Sequence, residues 1–332
     1  MSSNSHVSVE AVDLRREFKT KDEPVVALDG VSLQVKEGEV FGVLGPNGAG
    51  KTTTIRILST LLLPTSGTAS VMGFDVSTEP EKVRHVINMA SGAEKAGYDF
   101  ISAKRNLWFF SQLYGLAPSV AEARISELSE MLGLTKYLDR KFYALSTGYR
   151  QRATIARAFI NEPKVVFLDE PTIGLDVMTA RSIRDFIRSQ AKDHGRTIII
   201  ASHNMTEVDA ICDRVAIIDK GKLIATGTPE ALKRSLGAPA LVMEVSPPPS
   251  SLDMLADVQG VKGFTAVTDE ERGLSTVEVV VENDSVVERA AQAVEAKGYK
   301  VVASWRKAAS LEEVFVALVG RGFKEREEQD GG

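Results

Sequence analysis

The sequence predicts a layered α/β domain followed by a smaller α+β unit. Over residues 7–236, short β-rich apolar runs alternate with amphipathic helical stretches, which is the pattern of an α/β domain. Stretches rich in proline, glycine and serine at residues 237–239 and 246–251 predict a boundary and a stiff loop. Residues 240–320 follow a β-α-β-β-α-β order, which predicts a small ferredoxin-like module.

Four apolar runs predict the buried strands of the first domain. They are Val40–Leu44, Val165–Leu168, Thr197–Ala201 and Val215–Ile218. Runs of this length are typical of parallel strands that are covered on both faces. Over residues 103–145, apolar side chains recur at helical spacing instead, as at Leu107, Phe110, Leu113 and Tyr114. This interruption predicts a helical lobe, at about residues 95–150, inserted into the α/β domain.

Six short segments predict the smaller unit. They are strand Leu241–Val245, helix Leu252–Val258, strands Thr265–Thr268 and Thr276–Val281, helix Val286–Lys297 and strand Lys300–Ser304. A final helix is predicted at Leu311–Val319, and residues 321–332 read as a charged, frayed tail.

Composition argues against several functional classes. The chain has 332 residues, which at about 150 residues per domain corresponds to roughly two domains. Its 40 Lys+Arg and 45 Asp+Glu give a net charge of −5, which does not favour a nucleic-acid-binding surface. The single cysteine, Cys212, cannot form an intrachain disulfide. No apolar run reaches the roughly 18–20 residues that span a bilayer, and residues 1–9 lack the features of a signal peptide. We therefore expect that the chain does not itself cross a membrane.

A glycine-rich loop follows the first buried run and precedes a helical stretch predicted at Thr53–Leu61. The loop reads Gly45, Pro46, Asn47, Gly48, Ala49, Gly50, Lys51 and Thr52, and so fits the pattern G-x-x-x-x-G-K-[ST]. Glycines let backbone N–H groups curl around phosphate oxygens, and the helix N-terminus adds partial positive charge. Lys51 can reach the β- and γ-phosphates of a nucleotide, and the Thr52 hydroxyl can bind Mg²⁺.

Two adjacent carboxylates end the second buried run, at Asp169 and Glu170. Ligands of α/β sheets lie at the carboxyl ends of the strands, and buried carboxylates are costly without a cation or a proton. Asp169 is suited to hold the Mg²⁺ shell, and Glu170 is suited to polarise the water that attacks the γ-phosphate.

Four further segments carry a family resemblance. Leu145–Gln151 resembles the signature sequence of ABC ATPases, with Ser146 and Gly148 retained and Tyr149 in place of the usual glutamine. Pro171-Thr172, followed by Gly174-Leu175-Asp176, resembles the D-loop of that family. His203 resembles its switch histidine, and Phe18 stands where the family places an aromatic that stacks on adenine. Taken alone, each has a plain alternative: Ser146 as a helix N-cap, His203 as a structural residue and Phe18 as core.

The resemblance implies a mechanism and a set of partners. Two nucleotide-binding domains close on two ATP molecules, each held by one loop and by the partner's signature segment. Ser146 and Gly148 would then contact the γ-phosphate bound by the other subunit, Glu170 would drive hydrolysis, and His203 would hold the γ-phosphate. The remaining nucleotide contacts would come from the loop, Thr53 and Phe18. The implied partners are a second copy of the chain and a separate membrane permease, with no nucleic acid.

The small carboxy-terminal unit, and the segment Ser310–Phe315, resemble the daunorubicin-resistance branch of bacterial ABC exporters. This predicts an exporter subunit at the cytoplasmic face of the membrane, with the small unit serving in regulation or dimerisation. Two alternatives stay open at this stage: a soluble ABC ATPase that acts on nucleic acid or ribosomes, and an ATPase subunit of an importer.

One expected residue of the family is missing. A glutamine that binds Mg²⁺ normally follows the strand before the helical lobe, and Gly92 stands at that position. The nearest polar candidate is Glu94. We hypothesise that Glu94 takes over the contact with the metal; the alternative is a solvated loop residue.

Overall fold

The computed structural model describes residues 6–19, 23–91, 97–235, 240–249, 251–282, 284–307 and 310–319. The chain forms two compact units, residues 1–229 and 230–332, and each is described by itself.

Ten strands of the first unit form two sheets. They are β1 (Val7–Phe18), β2 (Val25–Lys36), β3 (Val40–Leu44), β4 (Ser66–Val71), β5 (Phe74–Asp75), β6 (Ile87–Ser91), β7 (Val165–Asp169), β8 (Thr197–Ser202), β9 (Arg214–Asp219) and β10 (Lys222–Gly227). One sheet has the order β2-β1-β4-β5 and is antiparallel. The other has the order β10-β9-β3-β8-β7-β6 and is parallel apart from β10.

Seven α-helices accompany these strands within the described residues of the first unit. They are α1 (Lys51–Leu58), α2 (Pro80–Val86), α3 (Ala103–Leu113), α4 (Pro118–Met131), α5 (Thr147–Ala158), α6 (Val177–His194) and α7 (Met205–Ile211). A further helix, α8 (Pro229–Ser235), begins at the last residue of this unit and otherwise belongs to the second unit. Helices α3, α4 and α5 come between β6 and β7 in the chain. Among the described residues, we find no helix with the length and apolar character needed to cross a membrane.

The central strands are buried on both faces, as their continuous apolar runs predict. All five residues of β3, all five of β7 and all six of β8 are buried. One apolar core joins this sheet to the antiparallel sheet, with Leu14 and Leu28 on one side and Phe41 and Phe167 on the other. Because β3, β7 and β8 run parallel, their carboxyl ends meet at one edge of the sheet.

Helix α1 differs from its predicted bounds at both ends. It begins at Lys51, two residues before the predicted start, because Gly50 adopts a left-handed φ of +109° that brings the next residue into the helix. It ends at Leu58, three residues before the predicted end. Thr60 has a φ of +63°, and the N–H groups of Leu61 and Leu62 both turn back to the carbonyl of Arg56. The chain therefore reverses where sequence periodicity alone predicted another helical turn.

The second unit contains a four-stranded antiparallel sheet with helices on one face. Its elements are β11 (Ala240–Ser246), α9 (Asp253–Ala256), β12 (Val261–Asp269), β13 (Leu274–Val281), α10 (Asp284–Ala296) and β14 (Lys300–Lys307). The strand order is β12-β13-β11-β14, and each pair is antiparallel. Alternate residues of β11 and β13, such as Met243 and Val279, pack on Val286 and Val294 of α10.

Three elements of this unit differ in length from the prediction by three residues or more: β12, α9, and β14, which has eight residues rather than five. Strand β12 has nine residues rather than four, because it pairs with β13 from Val261 to Asp269. Helix α9 has only four residues, Asp253–Ala256, rather than seven. Residues 311–319 are helical, whereas the predicted tail at residues 321–332 lies outside the described part of the chain.

Candidate active site

The glycine-rich loop presents the start of α1 to an open cavity. Among the described residues, no side chain caps this helix, and its first turn carries no acidic residue of its own. A Cβ atom on Gly50 would lie 2.7 Å from the Ala27 carbonyl oxygen, and one on Gly45 would lie 2.2 Å from that of Ile218. Glycine is therefore required at both positions. A helix N-terminus prepared in this way is suited to bind phosphate.

Lys51 lies inside the loop and is only 6% exposed. Its ammonium group donates to the carbonyl oxygens of Gly45 and Pro46, at 2.8 and 3.0 Å, and lies 3.9 Å from a carboxylate oxygen of Glu170. Burial lowers the pKa of Lys51, and the carboxylates of Glu170 and Asp169 act in the opposite direction. The cation is thus held between the loop and the carboxylate pair, where a bound phosphate chain would meet it.

Asp169 ends β7 and contacts the first turn of α1. The Thr52 hydroxyl donates to Oδ2 of Asp169 at 2.9 Å, whereas none of the described residues forms a hydrogen bond with the buried Oδ1 atom. A hydroxyl oxygen beside a carboxylate with an unused oxygen is the donor set that Mg²⁺ prefers. Among the described residues, at this site or elsewhere, no group of three or more His, Cys, Asp or Glu residues is arranged to hold a metal, so the described chain offers the hydroxyl and carboxylate pair alone here. Thr52 and Asp169 therefore fit a magnesium ion.

Asp169→Asn is expected to raise thermal stability while removing the ATP hydrolysis that the sequence predicts. Burial raises the pKa of Asp169, and the hydrogen bond from Thr52 only partly opposes this effect. The folded chain therefore binds this proton more tightly than the unfolded chain, and its stability falls as pH rises above the ordinary carboxyl pKa of about 3.9. The measurement is the melting temperature at pH 5 and at pH 7.5. We expect the variant to melt above the wild type at pH 7.5, with a smaller difference at pH 5.

The control is Asp185→Asn, which changes an exposed carboxylate of α6 and is expected to leave both melting curves and hydrolysis unchanged. An Asp169→Asn protein that melts below the wild type at both pH values would contradict this account of the buried charge.

Glu170 and His203 face each other across the edge of the sheet. The ring Nδ1 atom of His203 lies 2.7 Å from Oε1 of Glu170, and the His203 backbone N–H donates to the same oxygen at 3.1 Å. Glu170 has a φ of +52°, a left-handed conformation that costs a non-glycine residue about 1–3 kcal/mol. Its backbone N–H donates to the Ala201 carbonyl at 2.8 Å, which holds this strained residue against β8. Backbone strain of this kind is concentrated at functional sites.

One cavity of about 410 Å³ brings most of the predicted nucleotide-binding residues together. Its lining includes Phe18, Asn47, Gly48, Gly50, Lys51, Thr52, Thr53, Asp169 and Glu170. Gly45 and Pro46 reach this site through the carbonyl oxygens that accept from Lys51. Phe18 is partly exposed, and the Arg16 guanidinium lies 4.7 Å from its ring centroid. Phe18 is therefore not the core residue that the sequence also allowed, because its ring is partly exposed beside the loop.

Ser146 and Gly148 line a different cavity, of about 420 Å³, at the N-terminus of α5. Gly174, Leu175 and Asp176 line the same cavity. Ser146 is the N-cap of α5 and accepts from the Tyr149 N–H at 3.5 Å, so it also has the structural role that its sequence allows. Within one chain, therefore, the signature-like segment and the loop lie at two separate sites.

Among the described residues, the predicted site residues Gly45, Pro46, Ala49 and His203 do not line the nucleotide cavity, although Gly45, Pro46 and His203 contact residues that do. Ala49 is 2% exposed and packs in the core, and its N–H donates to the Pro46 carbonyl. Gly92 and Glu94 lie outside the described residues, so the contact of Glu94 with a metal stays a prediction.

The structure also places residues at the site that sequence reasoning missed. Val25, Ala27 and Ser91 line the nucleotide cavity. Ser91 ends β6, next to β7, and the rule that strand ends form α/β sites could have identified it. Glu207, on α7, is buried and accepts hydrogen bonds from Thr172 and Ser202, which flank Glu170 and His203 in the chain. Burial raises the pKa of Glu207. No motif marked this residue.

A phosphate-binding loop leading into a helix, with an aspartate and a glutamate at the end of a parallel strand, defines a P-loop nucleoside triphosphatase. Residues 28–173 match the ABC transporter family model. The ABC transporter ATP-binding protein NatA of Bacillus subtilis (strain 168) is 43% identical over 223 residues, which are 67% of this chain and 90% of that protein. The daunorubicin/doxorubicin resistance ATP-binding protein DrrA of Streptomyces peucetius is 34% identical over 304 residues, 92% of this chain and 91% of that protein.

Among solved structures, cbiO1 from Clostridium perfringens, part of the ABC transporter complex cbiONQ, has a TM-score of 0.61 and 28% identity. The match covers 68% of this chain and 90% of that chain. The chain belongs to the family of ABC transporter ATP-binding proteins, and it is an ATPase.

Proposed function

We propose that this chain is the ATP-hydrolysing subunit of an ABC exporter and that it powers a separate membrane permease. The observation that carries the proposal is the single cavity where Lys51, Thr52, Asp169 and Glu170 meet. The names of similar proteins, which include a drug-resistance ATP-binding protein matching over most of both chains, support export as the direction of transport.

In this proposal, hydrolysis is carried out by the residues at the sheet edge. The N–H groups of the loop and the Lys51 ammonium bind the β- and γ-phosphates, and Phe18 stacks on adenine. Glu170 takes a proton from the water that attacks the γ-phosphorus, and the bond from that phosphorus to the β-bridging oxygen breaks to give ADP and phosphate. His203, 2.7 Å from Glu170, holds the γ-phosphate and orients the carboxylate.

The Thr52 hydroxyl and Asp169 would hold a magnesium ion. The Oδ1 atom of Asp169, with which no described residue forms a hydrogen bond, supports this assignment. When bound, the ion neutralises charge on the phosphate oxygens.

Two copies of the chain complete two ATP sites. The signature-like cavity, with Ser146 and Gly148, contains the N-terminus of the 12-residue helix α5, whose first turn has no acidic residue. It is therefore suited to contact the γ-phosphate of a nucleotide bound by a second copy. The neighbouring residues Val177 and Met178 are 77% and 72% exposed, and apolar side chains with such exposure support burial against another chain.

The segment from α3 to α5 forms the helical lobe in this proposal, and it docks the permease. Aromatic side chains in this segment and just before it are exposed, including Tyr98, Phe100, Trp108 and Tyr143, with Phe100 at 81%. The rings of Phe100 and Tyr143 lie 6.2 Å apart, so these two side chains form one exposed patch. Such a patch is suited to receive a membrane partner, which places the chain at the cytoplasmic face of the membrane.

The carboxy-terminal unit is a ferredoxin-like module in this proposal and regulates or stabilises the dimer. Support comes from the antiparallel order β12-β13-β11-β14, which a β-α-β-β-α-β chain adopts in that fold.

The test is fractionation of cells that express the tagged chain near its native level, with identification of the proteins that co-purify. We expect recovery with membranes and a polytopic permease. Phe100→Asp is expected to lose the permease but to keep ATP binding. Val267→Asp, at an exposed position of the carboxy-terminal unit, is the matched control. Recovery only in the cytosol, or with ribosomes or nucleic acid, would contradict the exporter assignment, whereas a co-purifying solute-binding protein would favour an importer.

A further inference from the structure

Glu207 is a buried carboxylate that the proposed mechanism does not use. It lies on α7 and is only 1% exposed. The described hydrogen-bond donors to its carboxylate are two hydroxyl groups: Thr172 donates to Oε1, and Ser202 donates to Oε2 at 2.9 Å. A buried carboxylate is costly unless its oxygens are bonded, so this residue calls for an explanation beyond packing.

The two hydroxyl groups belong to the two segments that carry the reacting side chains. Thr172 follows Glu170 by two residues, and Ser202 directly precedes His203. The Ser202 oxygen accepts from the Asn204 N–H at 3.0 Å, and its hydroxyl lies 2.9 Å from Glu207 and 3.5 Å from Oε2 of Glu170, so the shorter contact assigns its single proton to Glu207. One carboxylate therefore connects the segment after β7 to the end of β8.

These segments meet at a strained residue, and a further connection between them adds to the bond between the Glu170 N–H and the Ala201 carbonyl. Glu170 has the left-handed φ of +52°, and its carboxylate receives both the His203 backbone N–H and the contact with the ring. A small displacement of either segment would change both contacts together. Strained residues persist only where the surrounding structure fixes them.

We infer that Glu207 is a positioning residue for ATP hydrolysis: its carboxylate fixes Glu170 and His203 relative to each other by binding the hydroxyls of Thr172 and Ser202. The inference rests on the roles proposed above for Glu170 and His203. Glu207 itself does not line the nucleotide cavity.

The first test is Glu207→Gln in the full-length chain. The amide has nearly the same shape, but its NH₂ group cannot accept a hydroxyl proton, so one of the two hydrogen bonds is lost or reversed. We expect kcat for ATP hydrolysis to fall about 10- to 100-fold, the scale of a displaced catalytic group. The Kd for ATP, measured with a fluorescent nucleotide, should stay within about twofold, because the binding residues are untouched.

A second pair of variants separates positioning from general stability. Thr172→Val keeps the shape of the side chain but removes its hydroxyl, whereas Thr172→Ser keeps the hydroxyl. We expect Thr172→Val to lower kcat and Thr172→Ser to retain wild-type kcat. In the double variant Thr172→Val/Glu207→Gln, the loss of kcat should be smaller than the product of the two single losses, because both changes act on the same hydrogen bond between residues 172 and 207. Asp185→Asn, an exposed carboxylate on α6, is the matched control.

Wild-type kcat in Glu207→Gln, or equal losses in Thr172→Ser and Thr172→Val, would overturn the inference. Full activity in both Glu170→Gln and His203→Ala would instead overturn the proposed roles of those residues, and the inference with them.

Discussion

Glu170→Gln is expected to lower kcat for ATP hydrolysis about 10²- to 10⁴-fold, the range lost when a general base is removed. The amide keeps the size of the side chain but cannot take the proton of the attacking water. ATP binding should be retained within about twofold, because the loop, Lys51 and Asp169 are unchanged. The measurement is steady-state phosphate release beside the Kd for a fluorescent ATP analogue.

Glu81→Gln is the matched control, since it makes the same change at an exposed position of α2. A Glu170→Gln protein with more than about a tenth of the wild-type kcat would contradict the role of general base. Loss of ATP binding in this variant would show instead that Glu170 maintains the structure of the cavity.

Lys51→Met is expected to weaken ATP binding about 10- to 100-fold, which corresponds to the 1.5–3 kcal/mol of a hydrogen bond to a charged group. The change removes the buried cation that lies between the loop carbonyls and Glu170. It also leaves the carbonyl oxygens of Gly45 and Pro46 without this donor. The Kd for ATP should therefore be measured together with the melting temperature.

Lys136→Met, at an exposed position, is the control for loss of one positive charge. Unchanged ATP affinity in a folded Lys51→Met protein would contradict the assignment of the loop as the nucleotide site.

The sequence predicted those elements whose residue pattern lies within one short stretch of the chain. The buried strands β3, β7 and β8 appear within two residues of their predicted bounds, because an unbroken apolar run identifies a strand covered on both faces. The glycine-rich loop was predictable in position, because its glycines meet steric demands at Gly45 and Gly50 that no other residue meets. The antiparallel pairing of β1 with β2 and β4 was not predicted, since it depends on contacts between distant segments.

The candidate site was only partly predictable for the same reason. Lys51, Thr52, Asp169 and Glu170 each belong to a motif with a fixed spacing, and the structure brings them to one cavity. Glu207 has no such signal: its role follows from two hydroxyl groups, on segments about 30 residues apart in the chain, that meet at α7. The separation of the signature-like cavity from the loop also appears only in three dimensions.

The most direct test of the account is the ATPase activity of mixed dimers. In one copy, Lys51→Met removes the lysine cation that binds the nucleotide. In the other copy, Gly148→Asp places a negative charge at the N-terminus of α5, where it repels phosphate but is compatible with the helix. The two variants are co-expressed with different tags, and dimers that carry both tags are isolated.

Dimers made of either variant alone should be nearly inactive. If ATP lies between two copies, the mixed dimer has one complete site of two and should recover roughly half of the wild-type activity. A mixed dimer as inactive as the separate variants would contradict an ATP site shared between two copies.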